Sequence, residues 1–204
     1  MAARVVLLAG ASGSGKTSLC RRLGLPVLAL DDFYRDGPPP RARSEDADPP
    51  MPHRFGIVDW DDPASWHAAQ ALQTIETLCR NGSADVPVYD IPTSRRSGTA
   101  RLDLGGAPLF IAEGIFAAEL VSGCRTGSSL ADALCLRLHP AVTFGRRLLR
   151  DLAESRKPPL TLVRRGIGLA RAEPALVERW TRLGCRPVSI AEAERTVQLL
   201  ATVS

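Results

Sequence analysis

Apolar residues along the chain fall into short, nearly continuous runs separated by polar, proline- or glycine-rich connectors, as expected for buried strands alternating with amphipathic helices. Arg4-Val5-Val6-Leu7-Leu8-Ala9 reads as a first buried strand, and Thr17 to Leu23 can begin a helix with Leu19 and Leu23 on one face. Pro26 to Leu30 reads as a second strand. The run from Asp36 to Ile57 carries Pro38-Pro39-Pro40, Pro49-Pro50 and Pro52 among charges, which predicts an extended excursion of about 36–58 beside the substrate, without regular structure. Pro63 to Arg80 predicts a helix, with Trp66, Ala69, Leu72, Ile75 and Leu78 at helical spacing and Gly82 as its stop.

Val86 to Ile91 is expected as a short strand or hairpin arm, and Pro92 to Gly106, polar and glycine-containing, as loop. Leu109 to Ala112 is a buried strand ending at Glu113-Gly114, Phe116 to Val121 a short helix, and Leu134 to Leu138 another strand. Helix is expected again from about Ala141 to Glu154, broken by Ser155 to Pro159. From Leu160 two helices are expected, joined through Gly184 to Pro187, with Ala191 to Ala201 closing the domain. The whole gives an α/β fold, a parallel sheet flanked by helices, in one domain over 1–204.

Composition narrows the function classes. No apolar run approaches the length of a membrane span, and the first strand follows the N-terminus without a signal-like segment, so a soluble, cytoplasmic protein is expected. The 5 cysteines are scattered, never in a CxxC pair, and read as small buried apolar residues instead of disulfides or a zinc site. Of the 26 basic residues only Lys16 and Lys157 are lysines, and arginines concentrate between Arg137 and Arg186. Aromatics do not interleave with that basic run, which argues against a nucleic-acid partner, and a homo-oligomer stays open.

The chemistry concentrates in Gly10-Ala11-Ser12-Gly13-Ser14-Gly15-Lys16-Thr17, which satisfies GxxxxGK[ST] between a strand and a helix. Backbone N–H groups from Gly10, Ser12, Gly13, Ser14, Gly15 and Ser18, with the helix N-terminus, would cradle a triphosphate. Lys16 would reach the β- and γ-phosphates, and Thr17 would hold Mg²⁺. Asp31 and Asp32 emerge at a strand end near this loop, where a carboxylate can act as base, bind metal or cap a helix. Glu113, at another strand end, can hold Mg²⁺ or cap the next helix. Arg147, Arg150, Arg156 and Lys157 can close over the triphosphate from a lid of about 146–165, or remain solvated.

With these stretches identified, the chain resembles the uridine kinase family of P-loop nucleoside kinases over most of Arg4 to Lys157. GASGSGKTS is similar to that family's phosphate loop, Asp31-Asp32-Phe33-Tyr34 to its DSFY element, and Asp59-Trp60-Asp61-Asp62-Pro63 to its F-D-H-P segment. Pro87-Val88-Tyr89-Asp90 resembles its P-x-Y-D strand, Glu113-Gly114-Ile115 its E-G-I, and Arg146 to Asp151 its RRxxRD lid helix.

The resemblance implies ATP as donor, Mg²⁺ as cofactor, Asp31 as base, Arg147 and Arg150 on the phosphates, and a nucleoside 5′-hydroxyl as acceptor; the family's arginine-glycine-arginine is replaced by Ser155-Arg156-Lys157, so Arg156 is expected on the phosphates from its position alone. It places Tyr34, Trp60, Asp61, Tyr89, Ser94 and Arg96 around that acceptor. Asp61 can equally be a helix cap and Tyr89 a core aromatic. The family's ring-contacting histidine aligns with Ser94 and its neighbouring aromatic with Ile91, so base recognition carries over less well than phosphate chemistry. The rival readings are a kinase of another small alcohol and a nucleotide-dependent ATPase or switch. A guanine-specific switch is disfavoured, because Asn81, the only asparagine, is not followed by lysine.

Overall fold

A computed structural model describes residues 2–37, 50–54, 57–137 and 174–203. Its centre is a five-stranded sheet in the order β2-β7-β1-β8-β9, with every neighbouring pair parallel. These strands are β1 (Arg4–Ala9), β2 (Val27–Ala29), β7 (Leu109–Gly114), β8 (Leu130–Leu136) and β9 (Arg186–Val188). Side-chain alternation splits the core across two faces. Val5, Leu7 and Ala9 face one layer with Phe110, Ala112 and Cys135, while Val6 and Leu8 face the other with Ile111 and Leu134.

The first layer is completed by α2 (Ala68–Asn81), through Ala71, Ile75 and Leu78, by α3 (Val121–Thr126), and by Trp180 of a helix over 174–182, α4. The second is completed by α1 (Lys16–Leu23), through Leu19 and Cys20, and by α5 (Ile190–Val203), through Ala193 and Val197. Arg22 of α1 donates two hydrogen bonds of 3.0 Å to the Glu194 carboxylate of α5, which ties these helices together.

Two small antiparallel pairs stand outside the sheet: β3 (His53–Arg54) with β4 (Ile57–Val58), and β5 (Ser83–Asp90) with β6 (Arg95–Asp103). The second corrects the expectation of loop over Pro92 to Gly106. Its strand β6 is exposed almost throughout, so it has no apolar alternation to announce it, and pairing with β5 alone makes it a strand.

Five further boundaries move. The short helix expected over Phe116 to Val121 is a 3₁₀ turn, Ala117–Leu120, that runs on into α3, Val121–Thr126. Strand β2 stops at Ala29, and Leu30–Phe33 winds into a 3₁₀ turn. The helix expected from Pro63 is a 3₁₀ turn, Pro63–Ser65, followed by α2 from Ala68. The break frees Trp66 to bury its ring and donate its indole N–H to the Leu30 carbonyl at 2.8 Å. Strand β8 begins at Leu130, earlier than the run at Leu134 suggested, because Leu130, Asp132 and Ala133 pair with β1 despite little apolar signal. The junction through Gly184 to Pro187 contains β9, a three-residue strand at the sheet edge beside β8. Of the excursion expected over about 36–58 without regular structure, 38–49 lies outside the described residues, while His53–Arg54 and Ile57–Val58 correct the expectation by pairing as β3 and β4. The helix from Ala141 and the lid arginines Arg147, Arg150 and Arg156 also lie outside the described residues.

Candidate active site

Register fixes where the chemistry sits. Leu8 pairs with Glu113 and Ala29 with Glu113, so β1, β7 and β2 end side by side. The phosphate loop leaves β1 one residue later, Asp31 lies two residues beyond Ala29, and Glu113 sits between them. These are the carboxyl ends of parallel strands, where open α/β sheets bind their ligands. One cleft of about 210 Å³ is lined by the loop from Gly10 to Gly13, Lys16, Thr17, Asp31, Tyr34, Asp61 and Glu113, with Ile115 and Leu176 as apolar walls. A second cavity, of about 490 Å³, continues past Gly15, Thr17 and Ser18 to Arg22 and Ile190.

The cradle fits a phosphate chain. Gly10 lies so close to Ser14 that an added Cβ would come within 2.7 Å of the Ser14 Oγ. Ser14 Oγ is a buried side-chain oxygen without a hydrogen-bond partner among the described residues. Helix α1 begins at Lys16 with no side-chain cap, which leaves its first N–H groups to an anion. Lys16 is buried, and its Nζ donates to the Gly10 carbonyl at 2.9 Å while lying 3.6 Å from Glu113. The ammonium is therefore held inside the loop, beside the carboxylate expected to serve a metal.

Asp31 keeps access to water yet lies deep in the cleft. Loss of solvent raises its carboxyl to about 6, with Glu113, Asp32 and Asp61 adding to the rise and Lys16 opposing it. A carboxylate so placed is ionised at neutral pH and basic enough to take a hydroxyl proton. The approach depends on Gly114, because a Cβ there would meet the Leu30 Cβ at 2.8 Å and Asp31 Oδ1 at 3.2 Å.

Tyr34 centres an aromatic cluster. It meets Trp60 edge-on at 5.5 Å, Tyr89 at 5.8 Å and Phe116 at 5.9 Å. Burial, with Asp31 and Asp61 nearby, holds its hydroxyl protonated far above the usual tyrosine range. Tyr89 donates its hydroxyl to the Arg35 carbonyl at 3.0 Å and its N–H to Asp32 Oδ1 at 3.1 Å. Tyr34, Trp60 and Tyr89 thus come together, and Asp61 joins the cleft.

Two residues expected at the acceptor have other partners. Ser94 sits in the β5–β6 turn at φ 53°, and its hydroxyl donates to the Ile91 carbonyl at 3.4 Å. Arg96 donates from Nη2 to Gln70 Oε1 at 2.7 Å. Sequence reading missed Asp32 as the bridge to Tyr89, and Ile115 and Leu176 as walls. Leu176 carries no local signal, since only the return of α4 over the sheet brings it there.

No family model matches the chain. It is 29% identical over 178 residues to the uridine kinase of Deinococcus deserti, covering 82% of this chain and 77% of that one. It is 27% identical over 170 residues to the inorganic pyrophosphatase TTM2 of Arabidopsis thaliana, spanning 78% of this chain but 21% of the plant protein. Among solved structures, a putative fructose transport system kinase from Silicibacter superposes with a TM-score of 0.63 at 20% identity, covering 92% of this chain and 88% of that one. Sheet order, phosphate loop and the solved structure give a P-loop fold, and the similarity to uridine kinases supports a phosphotransferase with an alcohol group as acceptor. Within that class it is similar to uridine kinases at 27–29% identity.

Proposed function

We propose that the chain transfers the γ-phosphoryl group of ATP to the 5′-hydroxyl of a uridine- or cytidine-like nucleoside, with Mg²⁺. The observation that carries this reading is the shared cleft of Lys16, Thr17, Asp31, Asp61 and Glu113 at the strand ends. ATP would lie with its phosphates in the loop from Gly10 to Ser18 and its base toward the cavity at Arg22 and Ile190. Lys16 would give up its carbonyl partner for the β- and γ-phosphates, and Thr17 and Glu113 would hold Mg²⁺, which supplies charge neutralisation. Asp31 accepts the hydroxyl proton, Asp61 takes the ribose hydroxyls, and the Tyr34, Trp60 and Tyr89 rings wall the acceptor. Arg147, Arg150 and Arg156 are proposed to close over the transferring group.

A second reading, a kinase of another small alcohol, is favoured by one observation. Ser94, at the position of the family's ring-reading histidine, spends its hydroxyl on the Ile91 carbonyl, and Ile91 is exposed. A pocket that leaves a base's polar edge unread discriminates weakly. Measuring ADP release with uridine, cytidine, adenosine, guanosine and a panel of sugars decides between the readings. Release driven by pyrimidine nucleosides supports the first, release driven only by a sugar replaces it with the second, and acceptor-independent release overturns both.

A further inference from the structure

The segment after Asp31 is bound to the β5–β6 ribbon by four polar contacts, spaced along both. Asp32 Oδ1 accepts the Tyr89 N–H at 3.1 Å, and the Arg35 carbonyl accepts the Tyr89 hydroxyl at 3.0 Å. Asp36 Oδ1 accepts the Arg96 N–H at 2.7 Å, and Gly37 donates its N–H to the Ser94 carbonyl at 2.7 Å. The last two grip the ribbon at its turn, beyond the aromatic cluster. Gly37 is buried there, and a Cβ on it would come within 3.1 Å of Ser94 Cβ, 3.3 Å of the Ser94 carbonyl and 3.5 Å of the Trp60 ring.

We propose that Asp36, with Gly37 beneath Ser94, is a latch that positions the ribbon as the acceptor's outer wall, so that this wall is set before the acceptor binds. One further bond holds the tip, from Arg96 Nη2 to Gln70 Oε1 of α2 at 2.7 Å. Strand β6 is exposed almost throughout, and Val88 and Ile91 near the turn are 39% and 61% exposed, so apolar packing cannot fix it. A charge-assisted bond from Asp36 to a backbone amide is the stronger kind of contact such a surface can make. Ser94 takes part through its backbone, whose left-handed conformation turns its carbonyl toward Gly37. A position expected to read a base thereby serves to hold the ribbon that carries Tyr89. Asp36 touches neither phosphate loop nor cleft, so it acts through the ribbon alone.

The proposal rests on the cleft being an acceptor site, and its test separates the two. Asp36→Ala, Asp36→Asn and Gly37→Ala are compared with the parent protein by amide hydrogen exchange over 86–100 and by steady-state kinetics with uridine. Loss of a charged-group hydrogen bond corresponds to roughly tenfold or more in the local opening equilibrium, so exchange at the turn should quicken by about that factor in Asp36→Ala, with exchange of the central sheet unchanged. The acceptor KM should rise by a similar factor while kcat and the ATP KM stay within about twofold. Asp36→Asn keeps an acceptor oxygen and should recover most of both effects, and Gly37→Ala should reproduce them by crowding Ser94. Unchanged exchange at the turn overturns the latch. Quickened exchange with an unchanged acceptor KM, or a matching fall in kcat, overturns its positioning role. If the parent protein does not phosphorylate uridine, the nucleoside reading fails while the exchange comparison still decides the latch, and the kinetic arm is run with whichever alcohol releases ADP.

Discussion

The central sheet and the β5–β6 ribbon are held by opposite means. Strand β7 is buried at every position except Glu113, and its side chains pack into both apolar layers. Strand β6 is exposed at every position but Leu102; the base of the ribbon packs on the core through Ala84, Val86 and Leu102, while toward its tip it is held mainly by hydrogen bonds, to the segment after Asp31 and from Arg96 to Gln70. The sheet carries the phosphate loop, and in the function proposed above the ribbon stands on the acceptor side. On that proposal, phosphate handling rests on the buried part of the molecule, and contact with the alcohol on a more exposed part whose sequence can change with less disturbance to the core.

The contrast can be broken first at the loop. Lys16→Ala should reduce phosphoryl transfer by roughly 10³-fold or more, since it removes the charge aimed at the transferring phosphate, while the circular dichroism spectrum stays that of the parent. Near-normal turnover would detach the loop from the chemistry. Asp31→Asn should lower kcat by roughly 10²–10⁴-fold and weaken ATP binding far less. In the parent protein kcat/KM should rise with pH through about 6, where Asp31 loses its proton, and the variant should lack that limb.

Stability gives an independent reading of the same residue. The folded carboxyl sits at about 6 against 3.8 for a free aspartate, so the folded state binds the extra proton and stability falls as pH rises between those values. Asp31→Asn should thus melt higher than the parent at pH 8, by roughly 1 kcal/mol after allowance for the group's contact with water, and equal it near pH 3. A variant less stable at pH 8 would show that Asp31 is a structural ligand of its surroundings.

A core variant set against a ribbon variant sharpens the comparison itself. Phe110→Ala, in the fully buried part of β7, should cost about 3–5 kcal/mol in urea unfolding. Val88→Ala, on the ribbon, should cost no more than about 0.5 kcal/mol. Similar losses at both would mean that the ribbon is part of the cooperative core.

What could be read from sequence follows the same division. β1, β7 and the phosphate loop announce themselves, because burial on both faces demands unbroken apolar runs and an anion cradle demands glycine at set positions. Asp31 was legible at a strand end beside the phosphate loop, but the gathering of Trp60, Asp61 and Tyr89 around it was legible only through the family resemblance, since they are far from it along the chain. β6 and β9 were not legible. One is exposed and alternates nothing, and the other is a three-residue edge strand whose pairing is decided by β8. Asp36 and Gly37 carry no chemical signature at all, and their partners, Arg96 and Ser94, lie across a fold that must first be built.

The five cysteines have a use of their own. Cys20, Cys79, Cys124, Cys135 and Cys185 are all buried, and burial lifts every thiol above its ordinary value, to about 11 at Cys20, Cys79 and Cys124 and about 12 at Cys185. Thiolate is the reactive form, so an alkylating dye at neutral pH finds almost none of it until the surrounding structure opens. The molecule thus carries built-in clocks in separate places: α1 behind the phosphate loop, the end of α2, α3, strand β8 and the approach to β9. Which thiol is tagged first, and whether nucleotide delays Cys20 alone or all five, would report the order in which the protein comes apart.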